Sequence, residues 1–422
     1  MKSCASVQKE LYIPSPGGTT VWARRRYLDA KGRIEEERSD EYMDDFHMNW
    51  RRRLSEDHGH TWSQWLRMPD PKMKDGYTME RFNFATLQDR VSGLTLQAVF
   101  VRLMKGRGDE AIAAFWQRQK TLFDHMFWEA SADGGRNWSP MQALRYQEGP
   151  PFNPENWAEP GFLDSNNMYG GYNLVQTREG TIVYPGTIPT KHPNPDGTVE
   201  DVSGVICFIG RWNAAQHTYD WTTSSILSVP HRVSGMGLVE PAIAELENGS
   251  LLLSMRGQND CAGPDPWRGQ VESPGRTWIS VSKEGGQTWG PVTDLRYDTG
   301  EPFYSPAALS KFVRSSRTGK LYWFGNITSQ PPKGCHPRYP LVMAEVEESI
   351  PALKKDSLVV VADRDPSKHA EEVQFSNFCL LENRASGEIE LYMAHFGQHG
   401  LVKETGAFDY GSDTWKYTLT PT

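Results

Sequence analysis

No apolar run in the 422-residue sequence approaches the ~18 residues that span a bilayer, so no membrane helix is expected. Cysteine is scarce. Cys4, Cys207, Cys261, Cys335 and Cys379 are odd in number and scattered, and no pair has metal-ligand spacing. That excludes a disulfide scaffold and a zinc ribbon, and it fits free thiols in a reducing compartment. No metal and no cofactor are expected. There is no long basic run and the net charge is −8, which argues against nucleic acid as a partner. Local convergence of arginines would still permit an anionic ligand. The opening stretch, MKSCASVQKE, lacks the apolar core of a signal peptide, which points to the cytoplasm, or to secretion or the periplasm if the chain was trimmed. Linkers and low-complexity segments are also missing, so residues 1–422 are expected to form a single domain.

What the chain has in quantity is glycine (38) and tryptophan (15), the composition of a turn-rich β protein. A pattern S-x-D-x-G-x-T-W recurs. Its copies are Ser55/Asp57/Gly59/Thr61/Trp62, Ser131/Asp133/Gly135/Trp138, and Ser282/Gly286/Thr288/Trp289 with Glu284 for the aspartate. The chemistry is that of a hairpin turn. The carboxylate accepts backbone N–H bonds, glycine takes a left-handed conformation, and tryptophan packs back under the sheet. The gap between the second and third copies is twice that between the first and second, and RWNAAQHTYDWTT around Trp221 sits where an eroded copy belongs.

Asp109–Phe127 begins with helical composition, which predicts a surface helix inserted before the second copy. Met343–Lys355 takes the place of a further hairpin that has lost the pattern. In GLVEPAIAELENGSLLLSMRG, Ala242–Leu246 and Leu251–Met255 read as two strands joined at Asn248-Gly249 by a two-residue turn. That hairpin would set Glu240 beside Arg256 at its open end. An ion pair at a hairpin mouth is often merely structural, so the rest of the chain must decide its meaning.

The repeated turn is the Asp-box signature, and it resembles that of the sialidase (neuraminidase) superfamily. Further segments match in order: NMYGGYNLVQTREGTIVYPG, the Glu240–Arg256 hairpin, LYWFGNITSQPPKGCHPRYPLVMAEV and VQFSNFCLLENRASGEIELYM. The resemblance implies an all-β fold, a six-bladed β-propeller with Asp-box hairpins and a short helical insertion. It also implies an exo-acting glycoside hydrolase that releases a terminal acidic sugar, with an anionic oligosaccharide or glycoconjugate as its partner. Oligomeric state is not legible.

Sialidases hold the substrate carboxylate with three arginines, whose planar donor forks suit it. Arg256 matches the second and Arg338, followed by Tyr339, the third. The first is sought among Arg24, Arg25 and Arg26, where strand alternation points Arg25 opposite to its neighbours; Arg25 with Arg256, Arg338 and Tyr339 forms the expected binding set. The proton donor is expected in EYMDDFHMNW, at Asp44, Asp45 or His47. Glu240 matches the family's glutamate, whose partner is normally a tyrosine nucleophile. Here Gln374-Phe375 stands in that place, so Tyr172, Tyr304 or Tyr339 would have to reach in. Failing that, Gln374 and Glu240 would activate a water and invert the anomeric centre. A lyase acting on uronate-containing glycans, using tyrosine and histidine at such a site, and a non-catalytic carbohydrate-binding propeller are the competing readings.

Overall fold

The computed structural model describes residues 4–43, 45–259, 271–403 and 405–422. Asp44 and Cys261 lie outside the described residues. Six antiparallel sheets follow one another along the chain and form a six-bladed β-propeller. Blade I runs Thr20–Tyr27, Ile34–Met43, Phe46–Ser55 and Leu66–Arg67 from the axis outward. Blade II runs Tyr77–Gln88, Thr95–Lys105, Leu122–Ser131 and Gln142–Ala143, with Lys72–Lys74 added beside its inner strand. The inner strand of blade III is split into Tyr169–Gly170 and Val175–Gln176, both paired with Ile182–Pro193. Val239–Glu245, Lys311–Arg314 and Cys379–Glu382 open blades IV, V and VI. The ring closes when Ala5–Ile13 from the chain start pairs with Thr414–Pro421 from its end.

The apolar cores lie between neighbouring blades because alternate residues of each strand face opposite sides. Ile182, Tyr184 and Phe208 pack on Phe100 and Trp128 of blade II. Their neighbours Val183 and Cys207 pack on Leu251 and Leu253 of blade IV. Blade I is held differently. Glu35, Glu36 and Glu37 are buried, and Arg25, Arg26 and Arg53 pair with them. Such pairs cost desolvation, and they fix the register of a strand that carries little apolar surface of its own.

The three patterned turns all join the third strand of a blade to the fourth. In the first, Ser55 Oγ and Thr61 Oγ1 donate to the Asp57 carboxylate, Gly59 N–H donates to Ser55 Oγ, and Trp62 Nε1 donates to the Gly59 carbonyl. These bonds hold the Asp57 carboxyl at about 2, Thr61 contributing most. Asn213–Thr218 turns at the corresponding place in blade III, where the eroded copy was expected.

Two sequence expectations need adjustment. The helix covers only Gly108–Trp116, and by Leu122 the chain is already a strand, because Phe123 and Phe127 on one face and Met126 and Trp128 on the other are all buried in blade II. The Asn248-Gly249 turn is longer than two residues: Leu246 N–H donates to the Ser250 carbonyl, and only Gly249 takes a positive φ, +83°.

Candidate functional site

In an antiparallel blade successive connections alternate between the two faces. The turns after third strands therefore lie on one face. Loops joining second to third strands, and the starts of inner strands, lie on the other. Glu240 and Tyr169 open or border inner strands there, Arg256 ends a second strand, and Asp45 and Arg338 sit in second-to-third loops.

Glu240 does not stand directly across from Arg256. Val239 is the Cα partner of Arg256, and the register slips between Val239 and Ala242. The bulge puts Glu240 at φ +49°, a conformation that a non-glycine residue adopts only when neighbours enforce it. Thr187 Oγ1 accepts its N–H at 3.0 Å, and Arg256 donates to its carboxylate at 2.7 Å. Burial alone would lower the Arg256 pKa, but Glu240, with Cys335 and Tyr172 adding to it, more than offsets this and holds it above the ordinary value.

Arg338 is 8% exposed and four of its five N–H donors are engaged: two with the Ala307 carbonyl, one with Gln374 Oε1 at 2.6 Å, and a longer one with Ser376 Oγ. Burial, then repulsion from Arg256, holds its pKa below the usual arginine value. Two guanidinium groups thus share one neighbourhood, with the Cys335 thiol 3.6 Å from Arg256. Gln374 braces Arg338, and no bond joins it to Glu240 among the described residues. This departs from the expected water-holding pair. Phe375 is fully buried against His369 and His395.

Asp45 sits at an exposed loop tip with φ +66°, its N–H bonded to Glu41 Oε1 at 2.9 Å. The protein around it still withdraws enough hydration to raise its pKa. Arg102 and Arg256 oppose that rise, while Glu240 and Asp124 add to it. A loop of blade I therefore comes within electrostatic reach of the Glu240–Arg256 pair of blade IV, across the propeller axis. His47 is packed among Trp22, Trp50 and Phe82, with Nδ1 3.2 Å from Ser39 Oγ. Burial, then Arg24 and Arg102, holds it neutral, so it has no proton to give as an imidazolium.

Arg25 requires a correction. Its guanidinium is spent between blades I and VI on Glu36, Glu390 and Tyr12, with Trp62 and Tyr392 against its faces. At 9% exposure it is enclosed by that cluster, with no bond to Glu240 or Arg256 among the described residues. Alternation turns Arg24 the other way, where it lies over Trp50 and Phe82 and makes no hydrogen bond or ion pair among the described residues. Tyr339 packs on the core between blades V and VI beneath Arg364, and it makes no hydrogen bond to Glu240 or Arg256 among the described residues. Tyr304 carries Arg276 instead.

Arg102 and Tyr169 had no sequence assignment, whereas Tyr172 was among the tyrosines expected to reach in. Arg102 lies between Glu80 and Asp124 in the ladder and grips Asp124 through two 2.8 Å bonds. Its only sequence signal is a charge inside the apolar strand Thr95–Lys105. Tyr169 and Tyr172 join hydroxyl to hydroxyl at 2.7 Å. Burial raises both pKa values, and Glu240 raises them further. The intervening Gly171 permits this placement, because a Cβ there would stand 2.7 Å from the Pro241 carbonyl oxygen. Asn173 then clamps the Ile243 backbone of blade IV through both amide atoms. Among the described residues no cluster of three His, Cys, Asp or Glu side chains could hold a metal. Cys4, Cys207, Cys335 and Cys379 are unpaired.

No protein-family model and no curated protein matches the sequence. Solved structures do match in shape. A protein of unknown function from Dyadobacter fermentans is 13% identical, superposes with a TM-score of 0.58, and covers 99% of both chains. The NanB sialidase from Streptococcus pneumoniae is 12% identical with a TM-score of 0.57, over 98% of this chain and 70% of its own. The intramolecular trans-sialidase from Ruminococcus gnavus, solved with oseltamivir carboxylate, is 13% identical with a TM-score of 0.54, over 96% and 97%. At such identities the likeness establishes a sialidase-like six-bladed propeller as the fold.

Proposed function

We propose that the protein is a glycoside hydrolase that removes a terminal acidic sugar from a glycan. The observation that carries the reading is the electrostatic coupling of Asp45 to the Glu240–Arg256 pair across the axis, beside a second buried guanidinium, Arg338. Arg256, Arg338 and the uncommitted Arg24 bind the sugar carboxylate. Asp45, kept protonated to higher pH than a solvated aspartate, gives its proton to the departing glycosidic oxygen. Glu240 accepts the proton of the attacking group.

Two nucleophiles suit this arrangement. One is a water deprotonated by Glu240, which inverts the anomeric centre. The other is a hydroxyl of the Tyr169–Tyr172 pair, whose neutrality suits an anomeric carbon that bears a carboxylate; it leads to retention. Proton NMR of the first-formed sugar separates them, and a fluorosugar adduct on the peptide holding Tyr169 and Tyr172 would assign the second. The hydrolase reading itself is tested on sialosides beside uronate oligosaccharides. Free acidic sugar is expected. A product with a new conjugated double bond, followed by ultraviolet absorbance, would make the protein a lyase. Binding without turnover on any acidic glycan would make it a carbohydrate-binding propeller.

A further inference from the structure

We propose that a second site, for a small anion, lies on the propeller axis beneath the candidate active site and is centred on the Lys311 ammonium group. A cavity of about 330 Å³ is lined there by Tyr27, Thr86, Tyr172, Lys311, Cys379 and Arg384. Tyr27 and Thr86 come from the far ends of inner strands and Lys311 and Cys379 from inner-strand starts, so the cavity runs along the axis from below the candidate site toward the face that carries the patterned turns. Tyr172 links the two: it lines the cavity, and its hydroxyl is bonded to that of Tyr169.

Lys311 Nζ donates to the Phe378 carbonyl at 2.7 Å and stands 5.1 Å from the centre of the Tyr172 ring. An ammonium group has three donors, so two remain unspent. No carboxylate lies within 4.0 Å of Lys311 or of Arg24 among the described residues. The one acidic side chain on the lining, Glu382, accepts the Ser316 N–H at 2.6 Å. Cys379 is bonded to the Arg25 backbone, and Arg384 at the rim adds a second positive charge over the Tyr27 ring. A half-buried cation without a counter-charge is costly. Burial, opposed by Cys379 and reinforced by repulsion from Arg24, brings Lys311 down to about 8. An anion on the two unspent donors removes that cost. A halide or a carboxylate supplies it, and the volume is at the small end of ligand sites.

Bromide is the probe. Anomalous scattering from bromide-soaked crystals of the full chain is expected to show a peak at hydrogen-bond distance from Lys311 Nζ. In solution, bromide NMR line broadening should saturate, and acetate should compete if the natural ligand is a carboxylate, chloride alone if it is a halide. Lys311→Met should weaken bromide binding by about tenfold or more, and Lys311→Arg should restore it. A wild-type map without a peak at Lys311 overturns the proposal. So does a crystal peak with no saturable broadening in solution, or broadening undiminished in a folded Lys311→Met. Should that variant fail to fold, the wild-type map and titration decide. The result is independent of the hydrolase reading, because no sugar is involved.

Discussion

Glu80 offers a measurable test of the electrostatics around the candidate site. It is 2% exposed, both carboxyl oxygens lack a hydrogen-bond partner, and the Trp50 indole approaches without completing a bond. Arg102 is its nearest compensating charge in the ladder, and that guanidinium is already committed to Asp124. Burial therefore dominates and lifts the Glu80 pKa from 4.5 to about 8. A folded-state pKa above the unfolded one means that the fold prefers the protonated acid. The stability it contributes is complete below about 4.5 and is lost as pH rises through about 8. At about 1.4 kcal/mol for each tenfold change in proton affinity, the interval from 4.5 to about 8 sets a ceiling of roughly 5 kcal/mol. Relaxation and water entry reduce this to about 2–4 kcal/mol. Glu80→Gln has the same shape and never ionises. Its urea midpoint should match the wild type near the acid end, at about pH 4–5, and exceed it increasingly toward about pH 9. A difference that is constant with pH, or that favours the wild type at the alkaline end, would refute the reasoning.

Two further outcomes bear on chemistry. Asp45→Asn should slow glycosides with poor leaving groups by about 10²–10⁴-fold, while substrates carrying acidic phenols are nearly spared. Because the Asp45 pKa is raised, wild-type activity should fall as pH climbs through that raised value, and the variant should lose this alkaline limb; equal losses on both substrate types would remove Asp45 from the proton-donor role. Arg256→Ala strips Glu240 of its partner and should cost about 2–5 kcal/mol, which is at least ~30-fold in kcat/KM. Arg256→Lys should recover only part, having one point charge in place of a fork. A folded Arg256→Ala enzyme with near-normal efficiency is the contrary result.

The propeller was legible because its signal is local and repeated. Ser55, Asp57, Gly59 and Thr61 satisfy one another within a single turn, and the same grouping recurs at Ser131 and Ser282. The hairpin carrying Glu240 and Arg256 was legible for the same reason. Its bulge was not, since nothing in GLVEPAIA marks the slip that Thr187 and Arg256 stabilise from outside. Alternation correctly separated Arg25 from Arg24 and Arg26 but left open which side faces a ligand.

Sequence alone therefore determined the blade pattern, the turn chemistry and the segments that supply Arg256, Arg338, Glu240 and the Asp45 loop. These depend on residues a few positions apart. Tertiary structure decided that Arg25 is buried in an ion-pair cluster, that Gln374 serves Arg338, and that Tyr169 and Tyr172 lie near Glu240. Each of those outcomes is a contact between blades tens to hundreds of residues apart. Packing of neighbouring sheets sets such contacts, and no local propensity encodes them.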